Sequence, residues 1–243
     1  MAARFPYIAV FAAAFLLFTR PALADEAQAF DDLVTEAQAG YRAAMFYART
    51  GNPALAGIEL GQAQAVWDEI VSTYRGKPPG PYAKDGRWAD DLKAILGHVS
   101  KGMDLLDEEK AKAARAELAP VRDLIYGLRD RAGRKGYEEC VTDLNRQMEV
   151  IFKWRHAAPD FDIPGTAEDV TRESMKYRDI LRRCRALAPE AKKKAADFQR
   201  IFDGADESIS SMSGAVDRKS PLGVVNILRE LRSFDRILYF KLG

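Results

Sequence analysis

The chain reads as all-α: two tandem antiparallel four-helix bundles that arose by internal duplication. Three observations predict this. Apolar residues recur at three- and four-residue steps along most of the chain, which places them on one face of amphipathic helices. No stretch sustains the two-residue alternation of a half-buried strand. Similar segments also return at a nearly constant offset. Val34-Thr35-Glu36-Ala37-Gln38 is similar to Val141-Thr142-Asp143-Leu144-Asn145, 107 positions later. Leu92-Lys93-Ala94-Ile95 lines up with Phe198-Gln199-Arg200-Ile201 at an offset of 106. Leu118, Arg122 and Leu128 line up with Leu228, Arg232 and Leu238 at 110. Shared helical patterning is the competing source of such matches. The expected division is an export signal over 1–24, a first unit over 25–134 and a second over 135–243.

Residues 1–24 have the three-part layout of a secretory signal. Arg4 lies in a short basic start, Ile8 to Phe18 are apolar, and Ala22-Leu23-Ala24 offers small residues for cleavage. The apolar run is shorter than the about 20 residues a bilayer requires. Cleavage after Ala24 is expected, with the mature chain starting at Asp25 in the bacterial periplasm; an uncleaved anchor is the alternative. No later stretch approaches membrane length, so no transmembrane segment is expected in the mature chain.

Each unit should hold four helices. In the first helix Phe30, Leu33, Val34, Ala37, Tyr41, Ala44, Met45 and Ala48 form one apolar face. Gly51-Asn52-Pro53 supplies a stop, a cap and a first-turn proline. The second helix runs from Pro53 to Tyr74. Three prolines and three glycines make Gly76 to Gly86 a loop. The third helix covers Trp88 to Leu106. Asp107 is placed to cap the fourth, with Glu108 and Glu109 in its first turn, and Pro120 predicts a kink in it. Arg134-Lys135-Gly136 joins the halves.

The second half follows the same plan. A helix over Tyr137 to His156 leads into a loop with Pro159, Pro164 and Gly165. Thr166 with Asp169 resembles a capping box for a helix ending near Leu187. The next helix is predicted from Pro189 to Met212, with Lys192-Lys193-Lys194 on a solvated face. Ser220-Pro221 opens the last helix, whose stripe is Val224, Leu228, Leu231, Phe234 and Leu238.

Two cysteines remain, Cys140 near the start of one helix and Cys184 near the end of the next. Consecutive helices run antiparallel, which brings these positions level. In an exported protein such a pair is expected to form a disulfide, with two separate buried thiols as the alternative.

Charge narrows the function. The chain has 37 basic and 36 acidic residues. Loss of Arg4 and Arg20 with the signal leaves a formal charge of −1, without the basic patch that nucleic-acid binding requires. No Gly-x-Ser-x-Gly elbow and no phosphate-cradling glycine loop is present. The serines at 208, 210, 211 and 213 read as a helix end. An enzyme is therefore not expected, although a carboxylate site would leave little trace.

Exported bundles of this length resemble the cytochrome c′ and cytochrome b562 group in architecture. That resemblance implies haem. Cytochrome c′ attaches it through Cys-x-x-Cys-His in the last helix. The corresponding segments here, Ile125-Tyr126-Gly127-Leu128-Arg129 and Ile237-Leu238-Tyr239-Phe240-Lys241, contain neither cysteine nor histidine. Covalent haem is thereby excluded, and no cofactor is expected. A non-covalent haem or metal would need axial ligands such as Met45 and His98. The competing roles are core filler for Met45 and a satisfied polar partner for His98.

A recurring charge arrangement is the remaining candidate. Arg122 and Arg232 hold matching positions, as do Glu59 and Glu173, and Arg229 and Arg236 flank Arg232. Intra-bundle ion pairs explain this most simply. The functional alternative is an arginine-lined groove for a small anionic ligand or a partner protein, with Tyr239 and Phe240 as exposed aromatics beside it. The expected role is a non-enzymatic binding or structural protein.

Overall fold

The computed structural model describes residues 20–242, with side chains from Glu26 onward. The export signal expected over 1–24 lies outside them, except for the backbone of 20–24, which opens the first helix. Every element among the described residues is helical: α1 (Arg20–Thr50), α2 (Pro53–Tyr74), α3 (Trp88–Asp107), α4 (Ala111–Arg131), α5 (Tyr137–His156), α6 (Thr166–Leu187), α7 (Glu190–Lys193), α8 (Ala196–Ser210), α9 (Met212–Asp217) and α10 (Pro221–Ile237). A π-helical turn, Leu238–Leu242, follows α10.

The long helices enclose two hydrophobic cores. One contains Phe30, Trp67, Ile95 and Ile125, the other Leu144, Tyr177, Phe202 and Leu228. In the first core α1 and α3 each pack on both α2 and α4, so α1 and α3 sit at diagonal corners. In the second, α5 and α8 sit diagonally between α6 and α10. Both are four-helix arrangements in which each helix touches its neighbours in the chain.

Local chemistry sets the ends of several helices as expected. Gly51 takes φ 81°, Asn52 Oδ1 accepts from the Leu55 amide, and Pro53 starts α2. Ser220 Oγ accepts from the Gly223 amide ahead of α10. Four expectations are corrected. Asp107 does not cap α4 but closes α3, and Glu109, at φ 56°, makes the turn to Ala111. Thr166 and Asp169 form no capping box, because Gly165 at φ 88° holds the cap position and Thr166 is already helical. The helix expected over 189–212 is broken into α7, α8 and α9, as extended backbone at Ala195 interrupts it after the lysine run. The Ser210 and Ser211 hydroxyls bond back to the carbonyls of Asp206 and Glu207, a local alternative that competes with continued helix. Lys192, placed on a solvated face, instead sits 5.0 Å from the Tyr137 ring and donates to the Leu242 carbonyl. The fourth helix runs unbroken through Pro120.

The loop after α2 plugs one end of the first core. Tyr82 is fully buried and stacks near Phe30 and Trp88, at 4.7 and 5.2 Å between ring centres. Close approach of α1 and α2 depends on Gly40, where a Cβ would stand 2.9 Å from the Glu59 carbonyl oxygen. The disulfide joins Cys140 on α5 to Cys184 on α6, with Cα atoms 5.4 Å apart.

Three tests follow from this packing. Gly40→Ala must push α1 from α2, and should lower stability by about 1–3 kcal/mol in urea unfolding. Gly97→Ala, on an exposed helix position with open space around it, should raise stability by roughly 0.5–1 kcal/mol. Replacing both cysteines by serine should cost roughly 2–4 kcal/mol in the same assay. A fully stable double variant would show that the bridge contributes nothing.

Candidate functional site

The two cores meet across a buried band of charge. Arg129, near the end of α4, is 6% exposed. Its guanidinium lies 3.4 Å from Glu139, 3.8 Å from Asp31 and 4.0 Å from Glu138. Asp31, on α1, also accepts from Arg134 Nε at 2.7 Å and from the Tyr82 hydroxyl at 2.5 Å. Burial, then the bond to Asp31, pushes the Tyr82 phenol well above its usual range. The Glu139 carboxylate additionally accepts the Gly136 amide at the start of α5.

A second chain of contacts runs along α5. Arg122 donates to Asn145 Oδ1 at 3.4 Å, and Asn145 Nδ2 donates to Asp235 at 2.8 Å. Arg232 reaches the same Asp235 oxygen at 3.5 Å and Glu149 at 2.5 Å. Arg122 stands over the Tyr239 ring and Arg232 over the Phe152 ring. Asp235 is 1% exposed, and burial pushes its carboxyl up to about 7 despite the nearby arginine.

Beside this band an open groove of about 380 Å³ lies between α1 and the end of α10. Ala43, Phe46 and Tyr47 form one wall, and Ile237 and Phe240 the other. The Phe46 and Phe240 ring centres are 5.7 Å apart, and Phe46 remains 39% exposed. Arg49, Arg236 and Lys241 supply the polar rim. Lys241 is paired with Asp197 at 2.8 Å. Among the described residues no carboxylate pairs with Arg49 or Arg236. The Arg49 pKa is lowered by partial burial and then by the like charges of Arg236, Arg115 and Arg232. The groove is therefore apolar in its walls and positive at its rim, a form suited to an anion with an apolar body.

The charged residues singled out from the sequence separate. Arg122 and Arg232 are brought together through Asn145 and Asp235, and Arg236 reaches the groove rim. Arg229 is exposed, and its guanidinium bonds to Asn226 on its own helix. Glu59 lies on α2 in the first bundle. Glu173 lies on α6, where Lys176, Gln147 and Arg172 bond its carboxylate and draw its pKa down to about 2. The six residues do not line one groove, because their helices face different neighbours. Tyr239, expected to be exposed, is buried, and Phe240 is half-buried against Phe46. His98 Nδ1 contacts Glu117 at 2.8 Å on α4. Met45 packs on the first core from α1, diagonal to the helix bearing His98. Among the described residues no group of three or more histidine, cysteine, aspartate or glutamate side chains is arranged to hold a metal. Phe46, Tyr47 and Arg49 were not anticipated. Their one trace in the sequence is a second apolar face on the first helix, beside its core stripe.

Comparison with known proteins adds no relative: no family model matches this chain, and neither a curated protein nor a solved structure does.

The state of Asp235 gives a pH test. Its pKa is about 7 when folded and near 3.8 when unfolded, so the folded chain holds a proton that the unfolded chain releases between those values. Its contribution to stability is full below about pH 4 and is lost as pH rises through 7. Asp235→Asn stays neutral and should remove this slope. Its unfolding free energy in urea should gain on the wild type from pH 4 to 7, by roughly 2–4 kcal/mol at the upper end. Parallel pH profiles for the two proteins would show that Asp235 is ionised throughout.

Proposed function

We propose that this is a non-enzymatic binding protein, exported to the periplasm, whose ligand docks in the groove between α1 and the end of α10. One observation carries the reading. Arg49 and Arg236 stand beside exposed Phe46 without carboxylate partners, whereas Arg129, Arg131, Arg134 and Arg232 are all paired. Guanidinium groups beside an apolar wall are well suited to an incoming anion, because partial exclusion of water strengthens the attraction.

Export is supported by the layout of residues 1–24 and by the disulfide, which persists in oxidising compartments. Among the described residues no helix is long and apolar enough to cross a membrane. We also read the two bundles as products of a duplication. The shared helix order and the matching places of Arg122 and Arg232 favour this.

The binding reading is tested with anilinonaphthalene sulfonate, a fluorescent anion with an apolar body. The wild type should bind it in a salt-dependent manner, and Arg49→Ala with Arg236→Ala should weaken binding at least fivefold without changing the melting temperature. Equal binding by the two proteins would remove the groove as the site. Amino-terminal sequencing of protein recovered from a periplasmic fraction should begin at Asp25.

A further inference from the structure

Resting on that reading, we propose that the groove takes a single-chain amphiphile with an anionic head, bound as a free monomer. The groove has apolar walls and cationic side chains at its rim. Ala43, Phe46 and Tyr47 recur at three- and four-residue steps, so they line up along one side of α1. From Ala43 to Arg49 the helix rises about 9 Å. Across from them, Arg236, Ile237 and Phe240 repeat the sequence of charge and apolar wall. Arg49 and Arg236 both stand at the groove rim, and the like charge of Arg236 lowers the Arg49 pKa. A head group seated there meets two guanidinium forks, each able to grip a carboxylate or a phosphate through two oxygens. A tail then lies along the apolar wall that Phe46 and Phe240 form together, their rings 5.7 Å apart.

The lining also selects against other ligands. Tyr47 is its one side chain with a neutral polar group, too few to recognise a sugar or an extended peptide backbone, whose affinity depends on many directed hydrogen bonds. The volume of about 380 Å³ is that of a small-molecule site. A stable protein partner needs about 800 Å² of contact on each side. Charged pairs border the apolar walls: Lys241 at the rim is tied to Asp197, and Arg232, outside the groove, to Glu149. An apolar interface of that size cannot extend from this point. Carboxylate and phosphate heads share the chemistry that the arginines read, and the test separates them.

The experiment is competition against bound anilinonaphthalene sulfonate on the full mature chain, below the micellar concentration of each competitor. The competitors are dodecanoate, dodecyl phosphate, dodecanol and butyrate, with direct binding followed by calorimetry. Dodecanoate or dodecyl phosphate should displace the dye, and whichever binds better identifies the head. Dodecanol, without charge, and butyrate, without a tail, should each be at least tenfold weaker. Phe46→Ala and Arg49→Ala should each weaken the better amphiphile at least fivefold, and Arg49→Lys should recover part of the loss. Phe46 is exposed and Arg49 half-buried, and unchanged helical melting curves confirm that each variant is folded. If the dye binds with arginine dependence but no amphiphile displaces it, the ligand class is wrong and the groove reading stands. If the dye does not depend on the arginines, both fail. Equal binding of dodecanol and dodecanoate, or preferential partition onto vesicles of phosphatidylglycerol in phosphatidylcholine over monomer binding, overturns the proposal.

Discussion

Burial of Arg129 among carboxylates from two bundles is the constraint on which the rest of the molecule depends. Asp31 approaches from α1, and Glu138 and Glu139 from α5, while Arg129 itself belongs to α4. A buried charge is tolerated only with partners in place, and removing one partner commonly costs about 3–5 kcal/mol. The bundles therefore cannot swing about the short link at 132–136 without leaving a charge buried and alone. Arg134, within that link, also holds Asp31. With the approach fixed, the end of α10 is set against α1. Tyr239 then falls under Arg122, and Phe240 meets Phe46. The groove is a consequence of the junction rather than of either bundle by itself.

The fold was legible because most of it is decided by neighbours in the chain. A 3.6-residue period states which face is buried whatever the partner is. Gly51, Asn52 and Pro53 each act on backbone within four residues, and so do Ser220 and Pro221. The corrections arose where two local solutions compete. Thr166 could cap a helix, yet Gly165 reaches the left-handed region at little cost and displaces it. Ser210 and Ser211 offer their hydroxyls to backbone carbonyls just where α8 ends. The loop over 76–86 was evident from proline and glycine. That its Tyr82 fills the end of a core was not, since composition carries no information on long-range packing.

The site was legible only in part, for the same reason. Arg122 and Arg232 stood out by their matching places, and the structure links them. The groups that link them, Asn145 and Asp235, lie 23 positions from Arg122 and three from Arg232, and only folding brings both to one point. Glu59 and Glu173 matched each other roughly, but the faces on which they lie have different neighbours. Phe46 and Tyr47 looked like spare apolar residues beside a core stripe. Such residues are common on helices, and Phe46 gains meaning only when Phe240 arrives opposite from the other bundle.

The charge at the groove rim follows from the same junction. The carboxylate nearest in sequence to Arg236 is Asp235, but the helix turns it inward to Asn145 and Arg232. Its pKa of about 7 means that near neutral pH it carries only part of a negative charge. Glu149 is held by Arg232. The local acids are thus committed or partly neutral, and among the described residues Arg49 and Arg236 stand at the rim without a carboxylate partner, Arg49 resting over the Phe240 ring at 5.7 Å. An anion seated at this rim would be attracted by both guanidinium groups. Because the aromatic walls exclude part of the surrounding water, that attraction is stronger there than at an open surface. The positive rim is therefore a consequence of how the bundles are locked together: the junction occupies the nearby carboxylates and leaves Arg49 and Arg236 without one, the feature on which the proposed anion site rests.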